Sequence, residues 1–347
     1  MRALLIVNPH ATSTTRPRRD VIVRALASAV DLEVVQTRYR GEATSLAESA
    51  AADKFGLVMT LGGDGTVNEA VNGLRAAADG KPGTAWDLPA FGALPGGNAN
   101  VFTRSLHLPP DPIDAAAKLI DDIANGRERC IGLGQANGRY FTFNAGFGLD
   151  AEVVRAVEGR RAHGRTLTPA RYARTALRQF YSVTDRRHAA ISILEPADIC
   201  KESVYQCIVS NSAPWTFLGN RPVHTNPDAG FETGLDLFVL RSLGTPGTLW
   251  TLLQMLSQRQ EPPTGRAVLT RHDLDAITLE ADRPVAFQVD GEYMGETERL
   301  EFRAVAAALR VIGLTATTGP TDPSRPFGED DSWTGPRRLG GSWPAGR

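Results

Sequence analysis

The sequence predicts an α/β amino-terminal domain built on a parallel sheet, followed by a mostly antiparallel domain of β-strands arranged as a β-sandwich. Strand-like apolar runs alternate with helical patterns up to residue 126, which is typical of a parallel sheet covered by helices. Beyond that point strand-like runs follow one another, separated by short loops rich in Gly, Asn, Pro and Asp. We therefore predict domains over residues 1–126 and 127–314, with the last strands able to return to the first domain, and a disordered tail over 315–347.

The composition fits a soluble protein of two domains. Of the 347 residues, 42% are hydrophobic and 22% are charged, and the net charge of −1 gives no sign of nucleic-acid binding. The cysteines, Cys130, Cys200 and Cys207, show no metal-ligand spacing and read as thiols in a reducing compartment. No signal peptide or membrane-spanning run is visible, so we expect a cytoplasmic protein, free or bound peripherally to the inner face of the membrane.

The first sheet is predicted from four apolar runs, at residues 2–7, 32–36, 57–61 and 90–94. Helical spacing predicts helices over residues 17–30, 41–52 and 111–125 between and after these strands. In an open α/β sheet, ligands bind at the carboxyl ends of the strands. The polar loop that begins with Asn8 and includes Thr12 follows the first strand, so we expect it to face a ligand.

The stretch LGGDGTVNEAVN, which starts at residue 61, predicts a strand, a glycine turn and the start of a helix. Gly62, Gly63 and Gly65 allow a sharp turn with close backbone approach. Thr66 is predicted to cap the helix, with Glu69 three residues later as in a capping box. Free backbone N–H groups and the helix dipole make such a turn a phosphate site, although a tight capped turn is the structural alternative.

A second glycine turn, PGGNANVFTR from residue 95, follows the fourth strand and leads into another helix start. Two such turns on one sheet would face each other and hold a nucleotide, with an ordinary loop as the alternative reading. Asp64 lies at the tip of the first turn, where an acidic side chain among phosphates is explained by a divalent cation between them.

In the second domain, a strand ends in Gln288-Val289-Asp290-Gly291-Glu292. From the residues alone an acidic hairpin turn is favoured, because Asp-Gly is a strong turn signal.

These motifs resemble those of the diacylglycerol kinase and sphingosine kinase catalytic superfamily. The likeness runs over about residues 1–314. It comprises GGDGT with the trailing Glu69 and Asn72-Gly73, Asn8-Pro9, Pro95–Arg104, the glycine-rich segment Asn144–Ala151, Asn226–Ala229 with Gly234-Leu235-Asp236, and Gln288–Glu292 as Q-x-DGE. The resemblance implies a Rossmann-like first domain related to that of NAD kinase.

The resemblance also implies transfer of the ATP γ-phosphoryl group to a lipid hydroxyl, with diacylglycerol giving phosphatidic acid. Glu292 would be the general base and Asp64 the second catalytic residue, and Asp64 and Asp290 would serve a Mg²⁺ ion. The nucleotide would be bound by Asn8, Thr12, Gly62, Gly63, Gly65, Thr66, Glu69, Gly97, Asn98 and Asn100.

Two departures from the family pattern keep alternatives open. Val101 stands where bacterial lipid kinases of this type carry a functional aspartate, and the loop after Asn8-Pro9 lacks the family's serine and glycine. A kinase for a sphingoid base or another polar lipid is one alternative. A soluble kinase such as NAD kinase, which shares GGDGT, is another, and a nucleotide-binding regulatory protein with little turnover is the third.

A basic segment suggests a membrane surface as partner. Residues 155–187, with a helix predicted over 168–183, carry nine arginines against Glu158 and Asp185. Arginines near an anionic surface favour binding to it, although a solvated face or a homodimer contact would also explain them. They are Arg155, Arg160, Arg161, Arg165, Arg171, Arg174, Arg178, Arg186 and Arg187.

Overall fold

The structure is a computed structural model that describes residues 1–11, 14–78, 85–162, 174–175, 178–179, 185, 188–199, 203–257 and 261–313. These residues lie in one compact unit, Met1–Thr315. The predicted tail, Thr12 and most of the helix predicted over 168–183 lie outside the described residues. Within the described part, no helix has the length and apolarity needed to cross a membrane.

The first sheet follows the predicted order of strands and helices. Its strands are β1 (Arg2–Val7), β2 (Asp31–Gln36), β3 (Leu57–Gly62) and β4 (Ala90–Pro95). They are parallel and lie in the order β2-β1-β3-β4, so their carboxyl ends share one edge. Strands β3 and β4 are buried along their whole length, as expected for central strands covered on both faces.

Helices cover this sheet: α1 (Arg16–Ala27), α2 (Glu42–Ala52), α3 (Asp64–Ala78), α4 (Val101–Ser105) and α5 (Pro112–Ala124). The helix after the first glycine turn begins at Asp64, two residues before the predicted cap. Thr66 therefore lies inside the first turn of α3, and the predicted capping role is wrong. Helix α5 does begin as its sequence suggests, because the side chain of Asp111 accepts a hydrogen bond from the backbone N–H of Ile113.

The second region is rich in antiparallel strands, which confirms the predicted fold class. Its elements in chain order are β5 (Glu128–Ala136), β6 (Arg139–Phe141), β7 (Asn144–Gly148), α6 (Leu149–Ala162), β8 (Ile191–Glu195), β9 (Ser203–Val204), β10 (Gln206–Ser210), β11 (Thr216–Leu218), β12 (Arg221–Val223), β13 (Leu235–Leu240), α7 (Thr245–Met255), β14 (Val268–Leu274), β15 (Ala276–Val289) and β16 (Glu292–Ile312). Helix α6 was not predicted from the sequence.

The long hairpin β15–β16 joins the two regions. Near its end β16 runs parallel to β4, with Val311 beside Phe91, so the last strand returns to the first sheet. One end of β15 pairs with β7 and the other with β8, while β16 also pairs with β5. Side chains from the strands that pair with β15 and from those that pair with β16 share one core, as in a sandwich. They include Phe141, Phe147, Ile193, Val209, Leu237 and Phe302.

Candidate functional site

The two glycine turns meet backbone to backbone at the carboxyl edge of the parallel sheet. Gly96 donates its N–H to the carbonyl of Gly62 at 2.7 Å. A Cβ added to Gly96 would lie 2.9 Å from Gly62 Cα, and one added to Gly97 would lie 2.8 Å from Gly63 Cα. Side chains cannot be accommodated at these contacts, so the glycines are required for the close approach of β3 and β4.

Asn8 joins the first loop to this pair of turns. Its backbone N–H donates to the carbonyl of Leu61 at 3.0 Å, and its side-chain Nδ2 donates to the Thr66 hydroxyl at 3.3 Å. Its Oδ1 accepts the N–H of His10 at 2.9 Å. The structure thus brings Asn8, Gly62 and Thr66 together, while Thr12 lies outside the described residues.

The second turn is closed by its own asparagine. Asn100 Oδ1 accepts the N–H of Gly97 at 2.7 Å, and its Nδ2 donates to the Gly97 carbonyl at 2.9 Å. Asn100 has a φ of 47°, a left-handed conformation that asparagine tolerates better than most residues. Asn98, at the tip of the same turn, is exposed. Asn100 thus shapes the turn, and Asn98 is presented at its surface.

Glu69 has a different partner from the predicted one. Its Oε1 accepts the backbone N–H of Gly41, at the start of α2, at 2.8 Å. The packing of α3 on α2 is close here, because a Cβ added to Gly73 would collide with the Thr44 carbonyl. Glu69 therefore stabilises the start of the neighbouring helix rather than that of its own.

Asp64 is partly buried and points at the start of helix α4. Its Oδ1 accepts the N–H of Phe102 at 3.2 Å, and Val101 and Asn100 also donate backbone hydrogen bonds to its carboxylate. Burial raises the pKa of Asp64 to about 6, although these hydrogen bonds lower it. Val101 is 1% exposed and packs in the core, so this helix start contributes no carboxylate of its own.

Asp290 is buried and holds the turn between β15 and β16. Its two oxygens accept five hydrogen bonds, from Asn68 Nδ2 (2.7 Å), Thr142 N (2.8 Å), Thr142 Oγ1 (2.9 Å), Phe143 N (3.0 Å) and Asn144 N (3.3 Å). Burial raises the pKa of Asp290 against the effect of these donors. Because a carboxylate has about four lone-pair positions, protein donors already occupy them. The metal role of Asp290 stays a prediction, and the structure gives this side chain an anchoring contact.

The Asp-Gly pair forms the hairpin turn that its sequence favours. Asp290 and Gly291 have φ values of 47° and 75°, and Val289 pairs with Glu292 across the turn. Positive φ at both central residues is the pattern of a type I′ turn. The turn places Glu292 beside the first glycine turn, since a Cβ added to Gly65 would collide with Glu292 Oε1. The turn of the β15–β16 hairpin therefore forms part of the candidate site.

Arg40 also contacts Glu292, and the sequence motifs did not indicate it. Its guanidinium contacts Glu292 Oε2 at 3.0 Å and Glu158 Oε2 at 3.8 Å. The charge of Glu292 is the main cause of the raised pKa of Arg40. The available signal was its position shortly after β2, because every loop that follows a strand of this sheet opens at the same edge.

A second polar network supports the anchoring of Asp290. Gln288 Nε2 donates to Asn144 Oδ1 at 2.9 Å and to Asp150 Oδ2 at 2.8 Å, and Gln288 Oε1 accepts the N–H of Gly291 at 2.8 Å. Burial raises the pKa of Asp150 to about 6. The Q-x-DGE and glycine-rich segments thus form one hydrogen-bonded unit.

Comparison with known proteins agrees with this geometry. Residues 2–136 match the family model described as the diacylglycerol kinase catalytic domain. The amino-terminal part of the chain is therefore similar to that catalytic domain. A diacylglycerol kinase of Bacillus subtilis (strain 168) is 36% identical over 155 residues, which are 44% of this chain and 48% of the relative. One from Staphylococcus epidermidis is 33% identical over 142 residues, which are 40% of this chain and 41% of the relative.

The structural likeness extends over most of the chain. A crystal structure of a diacylglycerol kinase from Bacillus anthracis str. Sterne has a TM-score of 0.67 at 22% identity and covers 91% of this chain and 97% of that one. A second crystal structure from the same organism has a TM-score of 0.69 at 24% identity, with 91% and 98% covered. This likeness establishes the fold of both regions, whereas the sequence relatives are matched over less than half of their length.

We predict that Asp290→Asn destabilises the protein. The amide has one accepting oxygen and presents an N–H₂ group to the donors, which costs about 1–3 kcal/mol for each donor left unpaired. Urea unfolding should therefore show a lower free energy of unfolding than that of Asp275→Asn, a matched change at an exposed aspartate just before β15. Unchanged stability together with weaker Mg²⁺-dependent nucleotide binding would instead establish Asp290 as a metal ligand.

A pH-dependent stability is expected from Asp64. The pKa of Asp64 is about 3.9 in the unfolded chain and about 6 in the folded protein. The folded protein therefore binds the proton more tightly, and its free energy of unfolding falls as the pH rises through this range. Asp64→Asn stays neutral and should melt at a higher temperature than the wild type at pH 8. That advantage should disappear as pH falls towards about 4. An equal difference in melting temperature at both pH values would contradict the assignment. The raised pKa of Asp150 affects both proteins equally, so it does not contribute to the difference.

Proposed function

We propose that the protein is an ATP- and Mg²⁺-dependent lipid kinase at the inner face of the membrane. It transfers the γ-phosphoryl group to a lipid hydroxyl, with diacylglycerol as acceptor and phosphatidic acid as product. The observation that carries this proposal is the contact between the Glu292 carboxylate and Gly65, because a carboxylate at the glycine turn could accept a proton there. The match of residues 2–136 to the diacylglycerol kinase catalytic domain and the names of the relatives support it.

The nucleotide would lie at the shared edge of β1, β3 and β4. The sequence contains no GxxxxGK[ST] motif, so the phosphates need another cradle. The glycine turns after β3 and β4 offer backbone N–H groups without side-chain obstruction, and the amino terminus of α3 adds its dipole. Asn98, exposed beside them, supplies a side-chain amide that can donate to a phosphate oxygen.

The residues present fit a Mg²⁺ ion that arrives with the nucleotide. Among the residues that the structure describes, no three His, Cys, Asp or Glu side chains cluster closely enough to hold a metal alone. Mg²⁺ in kinases is commonly held by one or two carboxylates together with the phosphates, and Asp64 provides one carboxylate beside the turn. With a pKa of about 6, Asp64 is mainly ionised at neutral pH. The ion, when bound, would neutralise charge on the phosphates.

Glu292 would accept the proton of the acceptor hydroxyl. Its Oε2 contacts Arg40 and its Oε1 lies against Gly65, so Oε1 is the oxygen that would face the bound phosphates. The O–H bond of the lipid breaks as its oxygen bonds to the γ-phosphorus, the proton passes to Oε1, and the bond to the β-phosphate breaks to release ADP. A positioned carboxylate of this kind contributes about 10²–10⁴-fold to the rate.

One observation favours a second candidate function, that of a nucleotide-binding protein with little turnover. Val101 is buried in the core at the position where the bacterial lipid kinases that the sequence resembles have an aspartate. The lipid hydroxyl must then be oriented without that carboxylate. Turnover measured with diacylglycerol, a sphingoid base and other polar lipids separates the two functions and identifies the acceptor.

We predict that Glu292→Gln lowers kcat by about 10²–10⁴-fold and leaves Mg-ATP affinity and melting temperature nearly unchanged. The substitution keeps the shape of the side chain and an acceptor for Arg40, but it removes the basicity. Asp64→Asn should weaken Mg²⁺-dependent nucleotide binding as well as turnover, so the two variants separate the base from the metal ligand.

Glu296→Gln is the matched control, because Glu296 lies on the same strand, is half exposed and pairs with Arg155. It should keep nearly wild-type turnover. If Glu292→Gln retains more than about a tenth of wild-type kcat while chemistry limits the rate, Glu292 is not the base.

A further inference from the structure

Helix α7 presents an apolar face to solvent. Four of its side chains are strongly exposed: Leu249 (50%), Trp250 (62%), Leu252 (43%) and Leu253 (63%). The helix contains no charged residue, and its other face is buried through Thr248, Thr251 and Met255. We call the four exposed residues the α7 face. A contiguous exposed apolar surface of this kind marks an interaction site.

The α7 face is linked to the phosphoryl-transfer site by the β11–β12 hairpin. Arg221, at the start of β12, donates to the carbonyl of Leu256 at the end of α7. At the turn of the hairpin, Arg104 donates to the carbonyls of Gly219 (3.0 Å) and Asn220 (3.4 Å). Arg104 in turn lies within electrostatic range of Asp64. A surface that contacts α7 is therefore near the predicted site of phosphoryl transfer.

The hairpin extends the exposed apolar surface towards the site. Leu218, the last residue of β11, is 48% exposed. The ring of Phe217 lies beneath the Arg104 guanidinium, 3.4 Å from its central carbon. Apolar side chains thus occur both on α7 and between α7 and Asp64.

Basic residues lie at both ends of the helix. Arg221 is exposed at the carboxyl end. Arg266 is exposed near the amino end, where its neighbour Ala267 lies within 3.8 Å of a Cβ added to Gly247. Residues 241–271 contain four arginines and a single acidic residue, Glu261. An uncharged apolar face bordered by cations complements acyl chains beneath anionic headgroups.

The same charges disfavour a second copy of the chain as the occupant. If two α7 faces packed against each other, either helix orientation would bring arginines near arginines, because both ends are basic.

The helix is also too short to span a bilayer, since eleven residues extend only about 16 Å. It can lie in the plane of the interface, where tryptophan is a favoured residue.

We propose that the α7 face docks on an anionic bilayer, with the leucines and Trp250 at the boundary between headgroups and acyl chains. The inference rests on the proposed lipid-kinase function in one respect: docking would bring the candidate site to a lipid substrate in the same bilayer. The docking itself requires neither ATP nor turnover.

The test is sedimentation with vesicles of equal parts phosphatidylcholine and phosphatidylglycerol, without nucleotide. Trp250→Gln/Leu253→Gln should weaken binding about tenfold or more, because two large apolar side chains no longer leave water. The control Val21→Gln, at an apolar residue of α1 that is 49% exposed, should bind like the wild type. Arg266→Gln should weaken binding to these vesicles but not to pure phosphatidylcholine vesicles, and only at low salt.

A second measurement locates the helix directly. Brominated acyl chains should quench the intrinsic fluorescence of the wild type, and Trp250→Phe should lose most of that quenching. Sedimentation and quenching unchanged in these variants would overturn the proposal. A wild-type dimer that the double variant converts to monomers, with vesicle binding unaltered, would overturn it in favour of a contact between copies.

Failure of the proposed function is distinguished by a separate assay with a short-chain diacylglycerol dissolved below its micelle concentration. Vesicle binding that depends on the α7 face, without phosphorylation of any lipid, would refute the kinase and leave the docking surface in place. If the dissolved substrate is phosphorylated but substitutions in the α7 face leave vesicle binding unchanged, only the docking surface is refuted.

Discussion

The site depends on the carboxylate of Asp290, which fixes the position of the β15–β16 turn. Its hydrogen bonds reach Asn68 on α3 and the backbone of residues 142–144, so one side chain joins the helix of the glycine turn to the second region. Because this carboxylate is buried, leaving its donors unpaired is costly, and the turn has little freedom to move. Glu292 follows two residues later and is held against Gly65 as a consequence.

The rest of the fold serves the same contact. The parallel sheet places the loops after β1, β2, β3 and β4 at one edge, and the glycines let two of these loops touch through their backbones. Strand β16 begins at Glu292 and ends beside β4, so a single strand connects the proposed base to the parallel sheet. The two regions are thereby joined by a continuous strand as well as by hydrogen bonds.

Much of this was accessible from the sequence, for reasons that are local. Apolar periodicity located β1 to β4, and glycine spacing located both turns, because these features depend on nearby residues. Thr66 and Glu69 were assigned a capping box that fits their spacing, yet α3 begins earlier and Glu69 contacts Gly41. Contacts between elements, like that of Asp290 with Asn68, involve residues far apart in the chain and leave no local signal. For Arg40 only its position after β2 was available, and its pairing with Glu292 was not.

The central claim is that Glu292 acts from its position against Gly65, and a double-mutant cycle in kcat tests it most directly. Gly65 lies in the first turn of α3, where alanine suits a helix better than glycine, so Gly65→Ala should not lower the melting temperature. Its methyl group would displace Oε1 and should lower kcat strongly in the wild type. In the Glu292→Gln background the same substitution should have little further effect, giving a coupling energy of about 1 kcal/mol or more. Additive losses of the two substitutions would contradict the account.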